Sequence, residues 1–150
     1  MRKAIIIYYL IIHIICLIPS LISLFQLDLK FNTLFFFFYS LLSIISILLY
    51  QLNKAIKIAL SFLILSNFFQ IITFVFYGLS YKFLLGPEIS FYIFNDGNLS
   101  SRFSALPYNV ILYVNTFNLD SNFLFGINFI HFLLFLFFND LLLKSKKCKT

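Results

Sequence analysis

The stretch 58–79, IALSFLILSNFFQIITFVFYGL, decides how this chain is read. It carries no charge, and it is long enough to cross a bilayer core as a helix, which takes about 20 apolar residues. Three further runs share that character. They are Ala4–Phe25 with Pro19 near its far end, Leu34–Tyr50 through the cluster Phe35–Phe38, and Phe123–Leu143 with Asp140 close to its end. Continuous apolar runs favour helices over the strands of a membrane barrel, in which lipid-facing and lumen-facing residues alternate. The expected fold is therefore all-α, a polytopic membrane protein with four transmembrane helices at about 4–25, 34–50, 58–79 and 123–143.

Composition points the same way. Of the 150 residues, 62% are hydrophobic and 11% charged, with a mean hydropathy of +1.01. A soluble domain carries roughly a quarter charged residues and could not hide this much apolar surface. A soluble enzyme and a disordered tail are excluded. The bias is also lopsided, with 23 Phe and 9 Tyr but no Trp, 4 Gly and 3 Pro. Membrane helices ordinarily favour Gly and Trp for close packing and interfacial anchoring. The excess of residues with AT-rich codons reads as a genome signature, because lipid accepts Phe and Leu alike.

The net charge of +6 comes from bases that cap apolar runs, which does not form the stripe a nucleic-acid binder needs. For four crossings, Arg2, Lys3, Lys54, Lys57, Lys144, Lys146, Lys147 and Lys149 fall on one side. Lys30, Lys82 and Arg102 fall on the other, with Asp28, Glu88, Asp96 and Asp120. The positive-inside rule then puts both termini in the cytoplasm or matrix. Arg2 and Lys3 precede a run too long for a signal-peptide core, so the first helix is expected to be retained. Cys16 and Cys148 lie at different depths and read as free thiols.

The segment 86–122 is the sizeable extramembrane loop on the opposite side, and its length suits contact with a partner. Within it, Asn95-Asp96-Gly97-Asn98 is a turn signal separating Ile89–Phe94 from Leu99–Phe103, which could pair as a short hairpin.

Candidate chemistry is sparse. His13 and His131 each lie roughly 14–19 Å from the basic side at 1.5 Å per helical residue, near the midplane. Two such histidines could ligate a haem b, or each could hydrogen-bond a neighbouring helix. Bulky neighbours Phe129, Ile130, Phe132 and Leu133 leave little room for a flat ring beside His131. No carboxylate lies mid-span, and Asp140 sits where Lys144 can pair with it one turn later. Ser66, Gln70, Thr73 and Tyr77 recur at helical spacing with Asn67 beside them, and Ser40, Ser43 and Ser46 recur every third residue. Such stripes glue helices together. No phosphate loop, CxxC pair, HExxH or nucleophile elbow supports an independent enzyme.

The Met1-Arg2-Lys3 start, the runs Ile5–Ile7 and Phe35–Phe38, the absence of Trp and the basic tail Lys144–Lys149 give the chain a resemblance. In style it resembles the short, divergent membrane subunits encoded in mitochondrial genomes of protists, especially ciliates. The resemblance implies a multi-pass protein of the mitochondrial inner membrane. It further implies a scaffold subunit of NADH dehydrogenase, or alternatively of cytochrome c oxidase or ATP synthase. Other hydrophobic subunits and lipid would be its partners, and no cofactor of its own is expected. Two other readings stay open: a haem-bearing membrane anchor using His13 and His131, and a small transporter component.

Overall fold

Hydropathy does not distinguish a helix from a buried strand in a short apolar run, and the chain uses both. The structure is a computed structural model that describes residues 2–26, 30–76, 79–95, 97–115 and 123–147. Its elements run α1 (Arg2–Phe25), α2 (Phe31–Gln51), α3 (Ile56–Ile71), β1 (Ile72–Phe76), β2 (Leu79–Asn95), β3 (Leu99–Asn115), β4 (Phe123–Asn128) and α4 (Phe129–Lys147). The fold is α+β. This overturns the all-α, four-span expectation. The third run leaves the helix at Ile71, where the β-branched residues Ile72, Thr73 and Val75 begin a strand. The fourth run opens as the strand Phe123–Asn128 before turning helical. Among the described residues, two helices are long and apolar enough to cross a membrane, Arg2–Phe25 and Phe31–Gln51. The charge argument for orientation assumed four crossings and falls with them.

The chain divides into two compact units. One comprises Met1–Leu63 and Phe138–Thr150. Here α1 packs on α2, and the core holds Tyr9, Ile12, Ile47, Leu60, Leu63 and Phe138. Tyr9 meets Phe138 edge-on at 5.3 Å between ring centroids, a favoured aromatic geometry. The turn into α3 places Asn53 and Ala55 at φ of 55° and 46°. Asn tolerates that region, whereas Ala is strained there. On α4, Lys144 pairs with Asp140 one turn earlier.

The second unit, Ile64–Phe137, is built on a bent hairpin. β2 pairs with β3 from Ser80↔Asn115 to Asn95↔Leu99, and the pairs include Phe91↔Phe103 and Phe94↔Ser100. Of the Asn95–Asn98 turn, Asp96 lies outside the described residues; Gly97 sits at φ 87°, which suits glycine. On its other edge β2 pairs twice: Leu79–Lys82 with β1, and Ser90–Asn95 with β4. β1 and β4 also pair with each other, and all of these ladders are antiparallel. If β1 opposes the first half of β2 and β4 opposes β1, then β4 runs along that first half. Since β4 also opposes the second half, β2 must bend sharply between them. The bend falls at the register shift between Gly86 and Glu88, with Gly86 at φ 120°. β3 follows the same bend, and its Pro107 lies beside Leu106, the residue that pairs with Glu88. Proline cannot donate to a ladder, so Pro87 and Pro107 suit a break.

A bend frees backbone donors that must find partners. The buried Leu85 N–H donates to Gln70 Oε1 at 2.6 Å. Gln70 in turn donates from Nε2 to the Ser66 carbonyl at 3.4 Å, one helical turn back. A residue read from sequence as glue between helices is an acceptor for the bend in β2. Replacing Gln70 with Leu strands the Leu85 N–H, a cost of about 1–3 kcal/mol. Thermal unfolding of Gln70→Leu in micelles should therefore shift down while Gln70→Glu, which keeps an acceptor, loses less.

Candidate functional site

Because side chains alternate along a strand, one face of the bent sheet turns inward. It lines an open cavity of about 700 Å³. Thr73, Phe74 and Val75 reach it from β1, Ser80, Tyr81, Lys82, Glu88, Tyr92 and Phe94 from β2, and Leu124 from β4. β3 supplies Arg102, Ser104, Leu106, Asn109, Ile111 and Tyr113. The volume falls within the roughly 300–1,000 Å³ of small-molecule sites, and most of the lining surface is apolar although many of its residues carry a polar group.

The polar groups of the bend form one network around Glu88, which is 1% exposed. Lys82 Nζ donates to both carboxylate oxygens, at 3.1 and 3.3 Å. Asn109 Nδ2 donates to Oε2 at 2.7 Å, and the Tyr92 hydroxyl donates to Oε1. Tyr92 also accepts from Lys82 Nζ at 3.0 Å, and the ammonium stands 5.3 Å from its ring centroid. Desolvation works against the charge on both Glu88 and Lys82. For Glu88, hydrogen bonds from Tyr92, Asn109 and Lys82 outweigh it and hold the carboxyl below its ordinary range. For Lys82, hydrogen bonds to Tyr92 and Glu88 outweigh it and hold the ammonium above its ordinary value. Both stay ionised at neutral pH, and each neutralises the other. A buried carboxylate with every lone pair answered is a structural clasp rather than a general base.

Gly126 makes room for the clasp. It faces Tyr92 across the β4–β2 ladder, and a Cβ there would lie 2.3 Å from the Tyr92 ring. Beside the sheet, Tyr81 donates to the Phe69 carbonyl at 2.7 Å, and burial pushes its phenol up to about 12.

The residues singled out from sequence have scattered. Ser40 and Ser43 are wholly buried on α2 with no hydrogen-bond partner among the described residues, and Ser46 is buried beside them. His13 is buried in the same unit, 4.5 Å from the Tyr9 ring and 5.6 Å from that of Tyr39. His131 belongs to the other unit, where its Nδ1 lies 3.0 Å from Asn67 Oδ1. Burial pushes this imidazole, on α4 and outside the two long apolar helices, down to about 3. It is therefore neutral, with its proton on Nδ1 toward the Asn67 oxygen. Asn128 caps α4, its Oδ1 accepting the Ile130 N–H at 3.0 Å. Thr73 is a strand residue on the cavity wall, and Tyr77 lies outside the described residues. Among the described residues no group of three or more His, Cys, Asp or Glu could hold a metal.

Sequence reasoning missed the clasp. It counted Lys82, Glu88 and Arg102 only as loop charges. A period of two in Ser80, Lys82 and again in Ser90, Tyr92 and Phe94 was the available signal. No family model matches this chain, no curated protein matches it, and no solved structure matches it.

The clasp sets a pH dependence. Glu88 is held low, so its contribution is full above the unfolded value of about 4.3 and is lost as pH falls through the lower folded value. Lys82 is held high, so its contribution is full below about 10.4 and is lost as pH rises through the higher folded value. Stability of the full chain should be flat between these limbs. Glu88→Gln should remove the acid limb and, by leaving Lys82 without its carboxylate, cost about 3 kcal/mol at pH 7. Gly126→Ala should push Tyr92 off Glu88 and move the acid limb to higher pH. An unchanged denaturation profile in either variant would show that the clasp is not formed.

Proposed function

We propose that the chain is a membrane-anchored structural subunit of a larger hydrophobic assembly, of the mitochondrially encoded respiratory kind. NADH dehydrogenase is the first assembly to test, ahead of cytochrome c oxidase and ATP synthase. The observation that supports the membrane anchor most is the polarity of the α1–α2 pair. These helices bury His13, Ser20, Ser40 and Ser43, while Ile7, Ile11, Ile14, Ile15, Ile18 and Ile22 are exposed. A helical hairpin in water does the reverse, because exposed apolar surface costs roughly 25 cal/mol per Å². In lipid the pattern is the stable one: tails solvate the isoleucines, and polar groups turn toward a neighbouring helix.

The assembly reading rests on composition and style together with the absence of catalytic machinery in the clasp. Its ionised groups satisfy one another, which leaves no acid or base free to act. Exposed Phe103 and Val114 along β3 provide apolar area for a neighbouring subunit. The transporter alternative has no observation in its favour.

Two measurements test this reading. Ile14→Asp places a charge near the middle of α1 and should weaken insertion by about 2.5–3.5 kcal/mol, seen as loss of carbonate-resistant protein. Equal retention of the variant would argue against a bilayer around α1. On a native gel of gently solubilised membranes stained for NADH dehydrogenase activity, the chain should co-migrate with the active band. Migration with another complex, or alone, would reject that assembly.

A further inference from the structure

We infer that the cavity under the bent sheet binds a single-chain anionic amphiphile, an acyl chain ending in a carboxylate. The site needs a cation, a donor and an apolar channel, and the inner face of the sheet supplies all three. The clasp is electrically closed, since Lys82 answers Glu88 and neither is left to call for a charged ligand. Arg102, also on the cavity wall, is exposed and makes no ion pair among the described residues. It is the one cavity-lining cation there without a carboxylate, so the local field favours an anion. A guanidinium can grip a carboxylate through two parallel N–H donors.

A second, independent observation points to a ligand. Ser80 is 1% exposed and lines the cavity, yet its hydroxyl has no hydrogen-bond partner among the described residues. Buried hydroxyls are nearly always paired, and leaving one bare costs about 1–3 kcal/mol. A bound oxygen would satisfy it. The remaining wall is largely hydrocarbon and aromatic: Val75, Phe94, Ile111 and Leu124 would surround a chain and reject a second charge. A short polar anion would leave this surface bare, and an uncharged alkane would leave Arg102 and Ser80 unused. The acid with a chain fits both halves.

The test is photo-crosslinking of the full chain in phosphatidylcholine nanodiscs with a diazirine-bearing palmitic acid, using its methyl ester as the uncharged control. Sites are read by peptide mass spectrometry. The acid should label peptides that carry Phe94, Ile111 or Leu124, at least fivefold above the ester. Unlabelled palmitate should compete, and acetate should not. Arg102→Gln, at an exposed position, should cut this labelling at least threefold while circular dichroism stays unchanged. Ser80→Leu should block it by filling the cavity. Labelling confined to α1 and α2, equal labelling by acid and ester, or full labelling of Arg102→Gln would each overturn the assignment.

Discussion

The hydrogen bonds gathered at the bend in β2 are what the sheet depends on. Bending a long strand shifts its ladder and brings β1 and β4 onto one edge of it. The backbone and the charged groups released by that shift must be satisfied without water. Gln70 accepts the Leu85 N–H from one side, and Lys82, Tyr92 and Asn109 surround Glu88 on the other. The ring of pairings β1–β2–β4 can close only if that corner holds. Glycine then appears where the geometry asks for it, as a positive φ at Gly86 and as missing bulk beneath Tyr92 at Gly126.

In the helical unit the chemistry is inverted. There, polar groups are small and buried, and branched apolar side chains cover the outside. Small hydroxyls such as those of Ser40 and Ser43 let two helices approach closely, and in the proposed membrane setting lipid would exact no penalty for the exposed isoleucines. The two units therefore reach stability by different means. One uses van der Waals packing around Tyr9, Ile47 and Phe138; the other uses strand pairing and a neutralised ion pair.

Much of this was legible in the residues, and the failures are specific. Arg2–Phe25 and Phe31–Gln51 follow from uninterrupted hydropathy. The hairpin about Asn95–Asn98 follows from its turn chemistry, though the sequence suggested only its short outer part, Ile89–Phe94 against Leu99–Phe103. The run 58–79 misled because its first part and its last are equally apolar. β-Branched Ile72, Thr73 and Val75 argued for a strand, but a window as long as a bilayer is thick averaged them with a helix. The stripe Ser66, Asn67, Gln70 and Thr73 looked helical throughout, although only its first three members are. In the fourth run, Gly126 inside an apolar stretch was the sign of close backbone approach. For the clasp the residues offered only the period of two around Lys82 and Tyr92, since Lys82, Glu88 and Asn109 meet only where β2 bends, a consequence of long-range pairing.

The central claim is that residues 72–76 and 123–128 are strands closing a ring with the two halves of β2. Magic-angle-spinning NMR of the labelled full chain in lipid addresses it directly. Gly126 should show through-space contacts to both Thr73 and Tyr92, while Thr73 contacts Lys82, and all four should have strand-like carbon shifts. Helical shifts at Thr73 and Gly126, with no contact between them, would restore four helical spans and contradict the fold described.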